Sequence, residues 1–433
     1  MNLPYFIARK VAASGQKSFS LLIIRIAIVA IALSISVMIV STALIRGFKT
    51  EISKKIFGFW GHIHITDAQT SRSFETAPIN INQAFYPYLD TISNIDYMGP
   101  LRVLGFSVGE QQVVQQTYGG IRHIQSFANK PGIIKTKEEF EGIILKGVGM
   151  DYDWSNLESY LQEGRPIEYS DSTASEDIII SRQTANRLKL KLQDKFIVHF
   201  VKGNSQLRRR FEVCGIYKTG LEEYDQKFAL VDIRRVQGLL GWEDNQIGGF
   251  EVFIDDIRDL EQLNEHIYIE ELPNDLFSQT IRDKFPSIFE WLALQDINEI
   301  VILALMLIVA IINMITALMI LILERTNMIG ILKALGTRDW SIRKIFLYYA
   351  AYIIGIGLFW GNLIGLLLCF IQDRFELIRL SEADYYLSVA PIQLELWTIL
   401  FLNLGTLLIT LIFLVIPSYL VTRITPVKAI RFK

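Results

Sequence analysis

Cysteine is almost missing: the 433 residues hold two, Cys214 and Cys369, far apart and with no CxxC spacing. A disulfide framework and a thiolate metal site are both excluded. Motifs for bond chemistry are missing as well. No GxxxxGK(S/T) occurs, so the chain has no P-loop for ATP hydrolysis, and HExxH and GxSxG are absent. Net charge is only -2, and no basic patch is interleaved with aromatics, so nothing points to a nucleic-acid partner. Four windows lack charge altogether: Ile26 to Ile45, Ile300 to Leu323, Ile345 to Ile371 and Leu396 to Val421 contain no Asp, Glu, Lys or Arg. An ion-coupled carrier would usually embed one there.

Those uncharged windows dominate what is present. The chain is 51% apolar, and its mean hydropathy is +0.31. Each window is long enough for a bilayer core, which needs about 20 apolar residues. Basic residues cluster before the first window (Arg9, Lys10, Lys17, Arg25), between the second and third (Arg325, Lys333, Arg338, Arg343, Lys344) and in the tail (Arg423, Lys428, Arg431, Lys433). The loop between the third and fourth is acidic instead: Asp373, Glu376, Glu382, Asp384, Glu395. The positive-inside rule then places both termini and the Glu324 loop in the cytoplasm. The first window has no small-residue cleavage site behind a short apolar core, so it reads as a retained anchor.

The expected fold is therefore an integral membrane α-helical protein with four transmembrane helices. A large extracytoplasmic mixed α+β domain is inserted between helices one and two. The segments are 1–20, an N-terminal amphipathic stretch (Leu3 to Val11) or an ordinary basic flank; 21–46, helix one; 47–298, the outer domain with a helical stalk at each end; 299–323, helix two; 324–344, a cytoplasmic loop; 345–371, helix three; 372–395, a short outer loop; 396–421, helix four; and 422–433, the tail. Phe48, Ile52, Ile56 and Phe59 continue a helical stripe past the first window. Pro286 and the pair Ser287 and Glu290 mark the start of a second stalk carrying Ile288, Trp291 and Leu292.

Between the stalks, β-rich pieces recur at 62–65, 178–180, 196–201, 211–217, 228–231 and 251–254. Helical windows at 182–190 and 256–266 separate them. Residues 74–169 show no clear period and are assigned to a second subdomain.

The loop from Glu324 to Lys344 is the most informative stretch. Met328, Ile331, Leu332 and Leu335 fall at i, i+3, i+4 and i+7, predicting an apolar stripe that rests on membrane or bundle. Thr326, Gly330 and Lys333 make the small polar face opposite, for water or a partner. Gly336 suits a left-handed C-cap, and Thr337 or Asp339 can cap the next helix. Nothing in the loop can do bond chemistry; it has the character of a docking surface. In the third window Gly357, Gly361 and Gly365 lie four apart, a helix-packing signal within the bundle or at a dimer interface. Asn313, Asn362 and Asn403 put one amide in each of three windows, where interhelical hydrogen bonding is the expected role and a substrate pathway the minority one. His62 and His64 lack a third ligand and are not assigned a metal. Arg208 to Arg210 read as a basic hairpin, with anionic headgroups or a protein partner as the alternative contact.

These residues resemble a known family. ERTNMIGILKALGTRDWSIRKIF, from Glu324, is similar to the signature loop of the FtsX-like permeases, the type VII ABC transporter superfamily. Residues 3–10, 47–49 with 58–63, 215–220 before Tyr224 and Asp225, and 417–419 with 425–431 resemble the lipoprotein-releasing (Lol) permeases. Residues 106–137 depart from that pattern.

The resemblance implies a bacterial inner-membrane permease whose coupling helix docks on a separate cytoplasmic ABC ATPase dimer. Its contact residues would be Glu324, Arg325, Thr326, Met328, Ile329, Gly330, Leu332, Lys333, Leu335 and Gly336. ATP and Mg would be used by that ATPase, and no cofactor by this chain. A second permease subunit, either the same chain or a paralogue, would complete the membrane part. The cargo would be acylated lipoproteins, taken from the inner membrane and passed to a periplasmic chaperone. Ile39, Ala43, Phe48, Ile52, Leu305, Ile308 and Ile312 are the residues expected to line an acyl-chain cavity. Rival readings are an FtsX-like signalling permease that regulates periplasmic hydrolases and an exporter of the macrolide type. A membrane-tethered enzyme lacks any catalytic constellation here.

Overall fold

The computed structural model describes residues 19–69, 75–103, 106–135, 140–170, 173–202 and 205–424, together with Phe6. Apart from Phe6, the stretch at 3–11 lies outside the described residues, as do the tail motif at 425–431 and residues 203–204 beside the basic run. Five helices matter most: α1 Phe19–Trp60, α2 Pro286–Glu324, α3 Thr326–Ala334, α4 Asp339–Phe375 and α5 Leu396–Ser418. Among the described residues, four helices are long and apolar enough to cross a membrane.

The chain divides into two units. One comprises 1–51, 290–379 and 389–433, and the other 52–289 with 380–388. In the first, Ala27 and Ile31 of α1, Met314 and Leu318 of α2, and Phe346, Ala350 and Ile354 of α4 form one apolar cluster with Leu414 of α5. Near the other end of the same helices, Ile35, Ile39 and Ala43 pack with Cys369. Helix α1 is 42 residues long and α2 is 39. At about 1.5 Å per residue, each reaches roughly twice the thickness of a bilayer core of about 30 Å. Helix α2 does start at Pro286, where the missing N–H costs nothing. The reciprocal capping pair that the structure shows is Thr280 with Asp283, on the short helix just before it.

Among its described residues the second unit has fourteen strands: β1 Ile63–Asp67, β2 Ile79–Asn80, β3 Asp96–Val103, β4 Phe106–Gln116, β5 Ile121–Lys135, β6 Phe140–Val148, β7 Leu161–Gly164, β8 Asp177–Ser181, β9 Lys195–Lys202, β10 Ser205–Tyr217, β11 Phe228–Asp232, β12 Gln246–Ile247, β13 Gly249–Ile254 and β14 Leu276–Thr280. Ten of them form one mixed sheet, in the order β14-β1-β13-β5-β6-β11-β8-β10-β7, and β9 bridges β10 back to β5. Alternate residues such as Ile63, Ile65, Phe250 and Val252 point into one continuous core.

The separate subdomain expected at 74–169 is not there: β5 and β6 are central strands of the main sheet. Apart from it, β3 pairs with β4 and β2 pairs with β12. The pattern was hidden because β5 buries Gln125, Asn129 and Lys130 among its apolar residues. The outer loop expected at 372–395 also divides, since Leu380 to Ser388 belong to the domain unit. There Glu382 pairs with Lys218 at 2.6 Å, and the Tyr386 carbonyl accepts from Lys55 at 3.0 Å.

Candidate functional site

Helix α3 ends in a complete Schellman turn. Gly336 is left-handed at φ +84°, its N–H donates to the Lys333 carbonyl at 3.0 Å, and Thr337 N–H donates to the Leu332 carbonyl at 3.0 Å. Neither Thr337 nor Asp339 caps α4: Arg338 holds the cap position without a side-chain bond, and Asp339 pairs with Lys333 at 2.9 Å.

The faces of α3 differ from expectation. Ile329 and Gly330 are the buried residues, with Met328 and Leu332 packed half-buried beside them. Lys333 folds inward onto the Thr422 carbonyl at 3.2 Å. Ile331 and Leu335 are 55% and 77% exposed. The turn into α3 at Arg325 rotates the helix, so an i, i+4 pair read as resting on the bundle faces away from it. Glu324, Asn327 and Ala334 are exposed along with it, whereas Arg325 and Thr326 are half-buried.

The small-residue stripe packs inside the bundle. A Cβ at Gly357 would sit 2.7 Å from Ile31 Cγ2, and one at Gly361 would sit 2.8 Å from the Ala32 carbonyl oxygen. At Gly365 it would come 3.2 Å from Ser36 Cα, so α4 lies directly on α1. Asn362 and Asn403 exchange amide hydrogen bonds of 2.6 and 2.9 Å. Asn313 instead donates to the Val309 carbonyl of its own helix.

The residues expected to line an acyl cavity do not come together. Ile39 and Ala43 are buried, with Leu303 and Met306 packed against their cluster. Leu305, Ile308 and Ile312 occupy the opposite, exposed side of α2. Phe48 meets Trp291 edge-on at 5.3 Å, and Ile52 is buried in the domain unit. A groove among the described residues of the bundle runs between α1 and α4. It measures about 480 Å³ and is lined by Ile28, Val29, Leu33, Trp360 and Ile364, with Arg25 also on its wall.

Sequence reading missed a second constellation, inside the domain, where α1 ends. Gly61 terminates that helix at φ +72°, donating to the Phe57 carbonyl at 2.8 Å; a side chain there would be strained. The last two carbonyls of α1 are taken by side chains. Lys146 Nζ, from β6, donates to the Phe59 carbonyl at 2.6 Å, and His64 Nε2, from β1, to the Trp60 carbonyl at 2.6 Å. A cation and N–H donors at a helix C-terminus oppose its negative dipole end.

Lys146 also pairs with Glu251 at 2.7 Å, both side chains having no exposure, and Gln125 donates to the same carboxylate at 2.8 Å. His64, Glu251 and Gln125 stand directly opposite one another across β1, β13 and β5. Lys284 Nζ donates to His64 Nδ1 at 2.8 Å. Burial holds His64 well below the usual imidazole range, so its ring is neutral, as donating from Nε2 and accepting at Nδ1 requires. Burial likewise lowers Lys146, against the pull of Glu251, and brings Lys284 down to about 8.

Trp60 fills the remaining space, edge-on to Phe228 at 4.7 Å and near Tyr224 and Phe285. His62 Nδ1 accepts from the Ile254 N–H at 3.3 Å. Each histidine is thus engaged by protein groups, and no cluster of metal-ligating residues forms among the described residues. The sequence did carry a signal for this constellation: Lys146 and Glu251 are single charges inside otherwise apolar strand runs.

The stretch at 215–225 is structural as well. The Asp225 carboxylate accepts from Thr219 Oγ1 at 2.6 Å and from the Gly220 N–H at 3.1 Å, while Tyr217 donates to the Phe228 carbonyl at 2.9 Å. Burial pushes the Cys214 thiol up to about 12, which makes it inert.

Comparison with known proteins covers nearly the whole chain. The FtsX-like permease C-terminal model matches residues 300–426, and the MacB-like periplasmic core domain model matches residues 26–267. The lipoprotein-releasing system transmembrane protein LolC of Buchnera aphidicola is 22% identical over 94% of this chain and 93% of its own. LolE of Haemophilus influenzae is 22% identical over 99% of both chains. LolC of Neisseria meningitidis is 20% identical over 98% of both. The extracellular domain of the noncanonic ABC-type transporter YknZ from Gram-positive bacteria is 19% identical, covering 37% of this chain and 81% of that one at a TM-score of 0.27.

Proposed function

Because the chain belongs to the FtsX-like permeases carrying a MacB-like periplasmic core domain, we propose that it is the membrane subunit of an ABC transporter that moves lipoproteins out of the bacterial inner membrane. A separate ATPase dimer, using ATP and Mg, supplies the energy. A second permease subunit completes the membrane part, and a periplasmic chaperone receives the cargo. End-to-end similarity to proteins named for lipoprotein release supports the cargo class.

The observation that carries the mechanism is that α1 and α2 each continue without a break from an apolar span into residues of the domain unit. A helix resists compression and bending far better than a loop, so nucleotide-driven movement at α3 has a stiff path outward. Acyl chains cost about 0.8 kcal/mol per CH₂ to withdraw from lipid. A multi-acylated anchor therefore needs such a drive. Ile331 and Leu335, uncovered on α3, are the residues we assign to the ATPase contact.

The test is reconstitution with the ATPase that co-purifies with the chain. Leu335→Asp and Ile331→Asp should leave insertion intact and abolish stimulation of ATP hydrolysis by the permease. Unchanged stimulation in both would remove the docking assignment. Loss of the protein in its host should strand lipoproteins in the inner membrane; normal sorting with failed cell separation would favour the signalling role of FtsX-like permeases instead.

A further inference from the structure

We propose that Lys146, Glu251, His64 and Lys284 form the junction that fixes the domain-side ends of both long helices to the central sheet, so that movement of either helix reaches the sheet undiminished. The inference rests on the mechanical reading above and names the residues that carry it.

Three observations converge. The last two carbonyls of α1 are held by side chains from β6 and β1, not by the loop that follows. Lys284, which stands two residues before Pro286 opens α2, binds the same His64 that holds Trp60. The neighbouring short helix is tied in too, since the Ile281 N–H donates to the His62 carbonyl at 2.9 Å. One imidazole thus lies between the end of one long helix and the approach to the other, donating to the first and accepting from the second.

The chemistry explains why these groups are polar at all. A buried ion pair can often be replaced by apolar residues of similar volume at no loss of stability. Apolar contact alone, such as that of Ile52 and Ile56 in the domain, leaves a helix free to slide or turn on the surface it touches. A carbonyl gripped along the helix axis by an ammonium or an imidazole N–H is directional. An ammonium and a carboxylate at full burial, with a second, half-buried ammonium on the His64 ring, therefore make sense as a fixing of position.

The experiment uses the full chain with its co-purifying ATPase in proteoliposomes loaded with a triacylated lipoprotein. The double variant Lys146→Met with Glu251→Met replaces the pair by apolar side chains and leaves the Phe59 carbonyl unclaimed. Expected are a melting temperature near the parent's, ATP hydrolysis within twofold of it, and lipoprotein release reduced at least tenfold. Parent-like release from that stably folded variant overturns the junction. If the double variant does not fold, Lys284→Met retains the Lys146 and Glu251 pair and should lower release at least fivefold at unchanged ATP hydrolysis; unaltered release again overturns it.

If the parent itself releases no lipoprotein, the transport reading fails, and the junction is then read without cargo. Spin labels on two exposed domain positions should show a nucleotide-dependent distance change in the parent that the variant loses. A change of equal size in the variant rejects the junction.

Discussion

The two units of this chain bury polar groups by opposite rules. In the helical bundle, contact is made by bringing backbones together: Gly357, Gly361 and Gly365 lay α4 on α1, and the amide pair Asn362 with Asn403 is a polar link between α4 and α5. In the domain, a full ion pair sits without exposure beside a neutral histidine, and a second, half-buried ammonium binds that ring. Lipid supplies no hydrophobic drive between helices, so close backbone packing and small hydrogen bonds do the work there. A water-folded sheet gains enough from burial to carry the desolvation of Lys146 and Glu251. The contrast teaches where each unit is vulnerable: the bundle to added volume, the domain to unbalanced charge.

The largest effect should come from unbalancing the domain. Lys146→Met alone leaves Glu251 buried without its cation and should cost about 3–5 kcal/mol, several times more than the double variant. Thermal unfolding followed by tryptophan fluorescence measures the difference. Equal losses would mean that the pair does not behave as a unit.

Added volume in the bundle ranks next. Gly361→Leu must push against the Ala32 carbonyl oxygen and Ile35, and about 1–3 kcal/mol or more of bundle stability should go. The loss of a helix 1 to helix 4 cysteine crosslink placed outside the stripe would report it.

Acid should distinguish the units, because the shifted histidines both lie in the domain. Burial lowers His62 to about 3 and His64 well below 6.5, so the folded state refuses protons that the unfolded chain accepts below 6.5. The histidine contribution to stability is then constant above that pH and falls as pH drops from 6.5 toward 3, by at most about 1.4 kcal/mol per pH unit for each histidine. His62→Asn should flatten the slope of domain unfolding between pH 6 and 4.5. A bundle transition that moved with pH as steeply as the domain's would contradict this division. The smallest effect is expected for Asn403→Leu, which breaks one interhelical amide pair worth about 0.6–2 kcal/mol.

Much of the candidate site was legible one residue at a time, and less of it pair by pair. Gly336 ends α3 as its place in the sequence implies, since only glycine enters the left-handed region cheaply. Ile331 and Leu335 were placed on the inner face because periodicity defines a stripe without saying which side of it the rest of the chain covers. The turn at Arg325 decided that. The expected cavity residues separate for the same reason: Ile39 and Leu305 are both apolar at helical spacing, yet one points into the bundle and the other away. Strand β5 escaped detection because its buried Gln125, Asn129 and Lys130 look like surface residues until their partners on other strands are known.

By itself the sequence determined that four uncharged runs become spans, that helices continue beyond the first and lead into the second, and that strands fill the space between. These follow from local spacing and from the length of an apolar run, which each segment carries within itself. Only the tertiary structure decided that Lys146, Glu251, His64 and Lys284 meet at the ends of two helices. Their positions are separated by up to 220 residues, and the free energy that brings charges together in a dry interior exists only once the sheet has closed around them.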